Sequence, residues 1–342
     1  MNQAVSDLGA AMNAIAVMAG ERLGLYKAMV SSGPVTPAQL AGLTGTNPRY
    51  IREWLCSQAA GGYVIYDPST ETFELPAEQA LALGVENSPV YFPGAYEVVS
   101  SLFADQEVLF EILRTGQGLG WHQHSPGLFC GTERFFRPNY IANLLSSWIP
   151  ALDGVEDKLR AGASVADIGC GHGASTILMA KAFPKSHFFG FDYHGPSIER
   201  ARAAAQAEEL GHRIQFEVAS AKDFHTGAPY DLVAFFDSLH DMGDPSGAAA
   251  HVRSQLAADG TWMIVEPYAS DTVEENLNPV GRIFYTASTF VCTPASRAQE
   301  VGACLGAQAG PAKLTEVIRN GGFSRIRRAA ETPFNMVLEA RL

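Results

Sequence analysis

The sequence predicts an α/β protein: a mostly parallel sheet with helices on both faces, closed by an antiparallel strand and preceded by a mainly helical winged-helix domain. Three observations carry this. After about residue 160, strand-like and helix-like runs alternate to the C-terminus, as in a parallel sheet joined by crossover helices. A glycine cluster, GCGHG at 169–173, stands where the first of those strands turns into a helix. Ahead of residue 85 the order is helix, turn, helix and a two-stranded wing.

Apolar side chains at helical spacing across 5–30, among them Leu8, Met12, Ile15 and Met18, predict helix there. Thr36 before Pro37 caps a short helix, and Asn47 before Pro48 caps a second that runs to the paired glycines at 61–62. YVIYD and ETFEL flank the turn Asp67-Pro68-Ser69-Thr70 and form the wing. One helix is expected over 91–115, followed by a linker rich in glycine and aromatics. The strands SVADIG, HFFGFD, IQFEVA, DLVAFFD and TWMIVEP come next, and FSRIRRAAE and FNMVLEARL make a closing antiparallel pair, for seven in all. The expected division is 1–115 for the winged-helix domain, 116–160 for the linker and substrate lid, and 161–342 for the ligand-binding sheet domain.

Hydrophobic residues are 47% of the 342-residue chain and charged residues 18%, which excludes disorder for its bulk. The net charge of −12 disfavours a protein that works by gripping phosphates. Residues 1–85 carry four basic against seven acidic side chains, so the winged helix lacks a basic surface. The five cysteines are odd in number and lack metal-ligand spacing, which suits reduced thiols in the cytoplasm. Gly9–Ala19 has no preceding Lys or Arg and is too short to span a bilayer, so a soluble protein with no membrane partner is expected.

The loop VADIGCGHGAS (165–175) satisfies a loose dinucleotide fingerprint through Gly169, Gly171 and Ala174, with Asp192 at the spacing of a ribose contact. Asp167 discriminates between ligands. A pyrophosphate would be repelled by its carboxylate, whereas a ligand bearing an ammonium and a sulfonium would be attracted.

With these motifs the chain resembles the class I S-adenosylmethionine-dependent methyltransferases, whose Rossmann-like sheet has seven strands. The resemblance implies that S-adenosylmethionine binds and leaves as S-adenosylhomocysteine. Asp167, Gly169, Gly171 and Gly173 would line its methionine and ribose, Asp192 would accept both ribose hydroxyls, and Tyr193 would pack on adenine. Ala221 and Lys222 would lie at the adenine edge, and Asp237 after the fourth strand belongs to the same set. The winged helix together with LHDMGDP (239–245) is similar to the small-molecule O-methyltransferases. In these His240 matches the general base and Glu266 the acid that orients it, while Met242 stands where plant-type members have tryptophan. WHQH and GTERFFRPNY resemble a bacterial, mycobacterial-type group of unassigned acceptor. In the resembling family the N-terminal domain forms a homodimer.

A winged-helix regulator that senses a small molecule is the rival reading, disfavoured by the acidic N-terminal domain. O-, N- and C-methylating enzymes share this fold, so the acceptor atom stays open at this point. Trp121, His122, Phe136, Tyr140 and Tyr285, in segments near the C-terminal ends of the strands, suggest an apolar or aromatic acceptor. His122 and His124 have no third ligand by spacing, and no metal is expected. No nucleic-acid partner is expected either.

Overall fold

The computed structural model describes residues 1–342. Contacts divide them into two units, the first comprising 1–105 and 125–142, the second 106–124 and 143–342.

The first unit holds α1 (Asn2–Arg22), α2 (Leu25–Ser32), α3 (Pro37–Thr44) and α4 (Pro48–Ala60), then the wing strands β1 (Ile65–Asp67) and β2 (Thr72–Glu74). Its signals act as the residues suggest. Thr36 Oγ1 accepts from the Gln39 N–H while Gln39 Oε1 accepts from the Thr36 N–H, a reciprocal cap that starts α3. Asn47 Oδ1 accepts from the Arg49 N–H and starts α4. The Asp67 carboxylate accepts from the Ser69 N–H and from the Ser69 and Thr70 hydroxyls, so one side chain folds the turn of the wing. The paired strands are three residues each, shorter than the apolar runs. After α5 (Ala77–Leu83), the expected 91–115 helix is two, α6 (Pro93–Ala104) and α7 (Gln106–Thr115), which part at Asp105. The Asp105 carboxylate accepts from the Ser125 N–H and hydroxyl.

The expected linker is largely helical. Residues 127–143 form α8 (Gly127–Asn143), with Pro138 inside it, and a π-turn follows at 144–148. The glycines there serve close packing and not flexibility. A Cβ on Gly131 would sit 2.7 Å from Val98 N, and one on Gly94 would sit 2.6 Å from Phe135 N. Both positions bring α6 and α8 together backbone to backbone, which is why residues 125–142 join the first unit, while 106–124 join the second.

In the second unit, α9 (Val155–Ala161) leads into β3 (Ser164–Ile168). The alternation continues through α10 (Ala174–Ala182), β4 (His187–Asp192), α11 (Gly195–Ala207), β5 (Ile214–Val218), β6 (Tyr230–Phe236), α12 (Pro245–Gln255) and β7 (Leu256–Pro267). Helices α13 (Pro279–Ala287), α14 (Thr293–Arg297) and α15 (Pro311–Asn320) precede β8 (Arg325–Glu331) and β9 (Asn335–Arg341). The sheet order is β5-β4-β3-β6-β7-β9-β8. The first five strands are parallel and β9 runs antiparallel to both β7 and β8. Central strands β3, β6 and β9, and β7 from residue 260 onward, are nearly wholly buried, with Phe235 and Trp262 edge to face at 5.2 Å, whereas edge strand β8 is largely exposed. β7 starts at Leu256, five residues before the expected strand, and a register shift between Tyr230 and Leu232 absorbs the extra length. No helix is long and apolar enough to cross a membrane.

Gly94→Ala should destabilise the first unit by about 1–3 kcal/mol, because its methyl group must displace the α8 backbone. A lowered denaturant midpoint at unchanged slope is the expected result, and an unchanged midpoint would show that the helices have room to move apart.

Candidate active site

Two neighbouring sets of residues at the C-terminal ends of the parallel strands make the site. The first surrounds the glycine loop. Asp167, next to last in β3, is 1% exposed, and its Oδ2 accepts from the Ser175 and Thr176 hydroxyls at 2.6 Å each. Its Oδ1 is equally buried and has no hydrogen-bond partner. Burial, only partly countered by the two hydroxyls, raises its pKa to about 6. Asp192 ends β4. Its Oδ2 accepts from the Gly171 N–H at 3.0 Å and its Oδ1 from the His194 N–H at 2.8 Å, so both oxygens are set by backbone and keep lone pairs for a ligand. Burial raises its pKa, against those two backbone bonds.

Two glycines of the loop differ in purpose. A Cβ on Gly171 would meet nothing within 4 Å, leaving a cradle beside Asp192. A Cβ on Gly173 would collide with Phe216 at 2.6 Å, so that glycine serves packing. Cys170 is buried, which suits a packing side chain.

The second set lies on the 3₁₀ turn Leu239–Asp241, after β6. His240 is 4% exposed, and its Nδ1 lies 2.6 Å from Glu266 Oε2. Glu266, also buried, accepts the Leu239 N–H on Oε1 at 3.0 Å, so one carboxylate fixes both the turn and the ring. Nε2 lies 3.1 Å from Asp241 Oδ1. That contact pairs the ring with a second carboxylate. Burial alone would depress the pKa of His240, but Glu266 and then Asp241 override it and hold the imidazole well above its usual range. The two sets touch: a Cβ on Gly169 would lie 2.9 Å from Ser238 Cβ, at the start of the turn.

Not every expected residue joins these sets. Asp237 is bound by Asn335 Nδ2 at 2.6 Å, which turns it toward β9. The Lys222 ammonium is engaged by Asp244, at 3.0 Å, and by Glu300, and Ala221 packs against the sheet core. Tyr193 is half exposed and meets His122 edge-on at 6.2 Å. Trp121 donates its indole N–H to Asp241 Oδ2 at 2.9 Å, so it holds the site's own acid. Tyr285 is half-buried on α13 of this unit, while Phe136 and Tyr140 stack on each other in the first unit at 6.1 Å. Sequence reasoning missed three groups. Ser175 and Thr176 had a signal, as hydroxyls directly after the glycine loop. Cys292, against His240 and Asp241, had none.

Residues 159–322 match the family model of a methyltransferase domain, and residues 11–84 that of an Rv2258c-like winged HTH domain. Among curated proteins, the 27-O-demethylrifamycin SV methyltransferase of Amycolatopsis mediterranei is 37% identical over 131 residues, 36% of this chain and 48% of that protein. The chain thus spans about half the length of this relative. An O-methyltransferase structure from Nostoc punctiforme superposes with a TM-score of 0.74 at 19% identity, covering 99% of this chain and 98% of that one. Human N-acetylserotonin methyltransferase, solved with S-adenosylmethionine, superposes with a TM-score of 0.72 at 14% identity over 99% and 96% of the two chains. At such identities the likeness establishes the fold.

Proposed function

We propose that this chain, a winged-helix domain followed by a methyltransferase domain, moves a methyl group from S-adenosylmethionine to a hydroxyl of a small, largely apolar or aromatic acceptor, with His240 as the base. The observation that carries this reading is the His240–Glu266 pair on a turn that abuts the glycine loop. The residues present fit the cofactor. Asp167 Oδ1 is an unpaired buried acceptor suited to an ammonium, Asp192 is set for a ribose diol, and Gly171 leaves space beside it. When bound, the cofactor supplies a methyl group already activated on its sulfonium.

The tasks left to the chain are orientation and proton removal. Glu266 keeps the Nδ1–H in place, which directs Nε2 to the acceptor and stabilises the imidazolium formed when the proton arrives. At rest the two carboxylates already favour imidazolium, so His240 must lose that proton before it can act. kcat/KM should therefore rise with pH through a limb above 6.5, the ordinary histidine value. Asp241→Asn removes one of the two carboxylates and should move the limb to lower pH. His240→Asn should lower turnover by about 10²–10⁴-fold and leave S-adenosylhomocysteine affinity nearly unchanged. Full turnover in that variant would mean an acceptor amine or carbon that needs no base.

Cofactor binding has its own test. Asp192→Ala should weaken S-adenosylmethionine and S-adenosylhomocysteine alike, by about a hundredfold or more in calorimetry, since each of the two charge-assisted hydrogen bonds to the diol contributes about 1.5–3 kcal/mol. Affinity should also fall as pH drops through about 6, where Asp167 takes up a proton and loses the charge that faces an ammonium. Binding of NAD, with no response to S-adenosylhomocysteine, would overturn the reading.

The first unit suits self-association better than DNA. Arg49 and Arg52 on α4 are both ion-paired to Glu53. Val5, Leu8, Met12 and Ile15 share one face of α1, each more than 60% exposed. Met18, on the same helix, is buried within its own unit. A homodimer built on this stripe should sediment as a dimer at micromolar concentration, and Met12→Glu should dissociate it. A monomeric parent chain would remove the proposal.

A further inference from the structure

The proposed methyl transfer gives Cys292 no role, yet its thiol is buried against His240 and Asp241. It ends a π-turn, Ser288–Cys292, between α13 and α14. Such turns recur where a helix is deformed to aim a side chain. One ligating atom each of His240, Asp241 and Cys292 lie within 4.8 Å of one another, and all three residues are buried. Asp241 is 8% exposed, and its carboxylate faces both the His240 ring and the Cys292 thiol.

We propose that His240, Asp241 and Cys292 bind a divalent cation of the zinc type, and that the ion silences methyl transfer by occupying the ring nitrogen otherwise used for the acceptor's proton. The donor set of one imidazole nitrogen, one thiolate and one carboxylate oxygen suits a borderline-soft, four-coordinate ion, with the fourth position left for water. Bonds of about 2.0–2.3 Å set tetrahedral ligand atoms roughly 3.3–3.8 Å apart, so closure requires movements of about an ångström. The outer contacts are already built. Glu266 holds the Nδ1–H of His240, and the Trp121 indole holds the second oxygen of Asp241. A ligating histidine commonly has such a carboxylate on its other nitrogen.

The exchange balances. One dication enters, the Nε2 and Sγ protons leave to solvent, and two bonds from nitrogen and sulfur to hydrogen become bonds to the metal. Imidazolium, thiol and carboxylate become imidazole, thiolate and carboxylate around the ion, with no change in net charge. Binding is independent of the base assignment, whereas silencing rests on it.

The test uses the full-length chain and Co²⁺ alone as a spectroscopic probe. One equivalent per chain should give a near-ultraviolet thiolate-to-cobalt band that Zn²⁺ abolishes by displacement. The band should persist in Cys56→Ser, which removes the exposed thiol, disappear in Cys292→Ser and need at least tenfold more Co²⁺ in Asp241→Asn. Zn²⁺ should raise the Tm of the parent chain by a few degrees and leave that of Cys292→Ser unmoved. If Cys292→Ser does not fold, the Asp241→Asn titration decides. No band, or a band that vanishes with Cys56 instead, overturns the site. A Zn²⁺-loaded chain that still transfers methyl groups overturns silencing and, in that case alone, the base assignment of His240 as well.

Discussion

The carboxylate of Glu266 is the contact on which the site depends. It stands near the end of β7 with no access to water, so its charge must be met by protein donors. Two are supplied by the loop after the neighbouring strand, the Leu239 N–H and the His240 ring. The acid cannot leave water without fixing the turn, and the turn cannot form elsewhere without stranding the acid. Sheet register brings the two strands together, since Phe236 and Val265 pair in parallel at the sheet's C-terminal edge.

The same device recurs along that edge. Asp167 near the end of β3 binds the hydroxyls of α10, and Asp192 at the end of β4 binds the glycine loop and the turn beyond it. Each acid spends part of its hydrogen-bonding capacity on the loop that follows a strand and keeps the remainder. Parallel strands place their C-terminal ends on one side, so these acids converge there. The result is one end of the sheet lined by buried carboxylates, each tied to the chain that follows a strand.

Asp241 complicates a simple acid–base reading. Its position against Nε2, held by Trp121, means that His240 faces two carboxylates and not one. Under the proposed function, a hydroxyl acceptor has to share or displace Asp241 to reach the ring nitrogen. Trp121, placed by sequence among acceptor-lining aromatics, thereby bears on charge as well as on shape.

The sequence by itself determined most of the sheet and the identity of its acids, because strand alternation, caps and the glycine loop are local. Thr36, Asn47 and Asp244 each cap the helix their neighbours announce, and this needs no knowledge of distant residues. Other features were decided only by tertiary structure. Gly94, within an expected helix, and Gly131, within the expected linker, show their purpose only where the α6 and α8 backbones meet over them. Asp237 has the same strand-end position as Asp192, yet Asn335 from β9 claims its carboxylate. Cys292 lies far along the chain from His240, and the return of the chain after β7 brings them together. Spacing along a sequence reports neighbours within one element or one turn. A group whose partners come from separate strands and helices carries no such periodic mark, and packing alone assigns it.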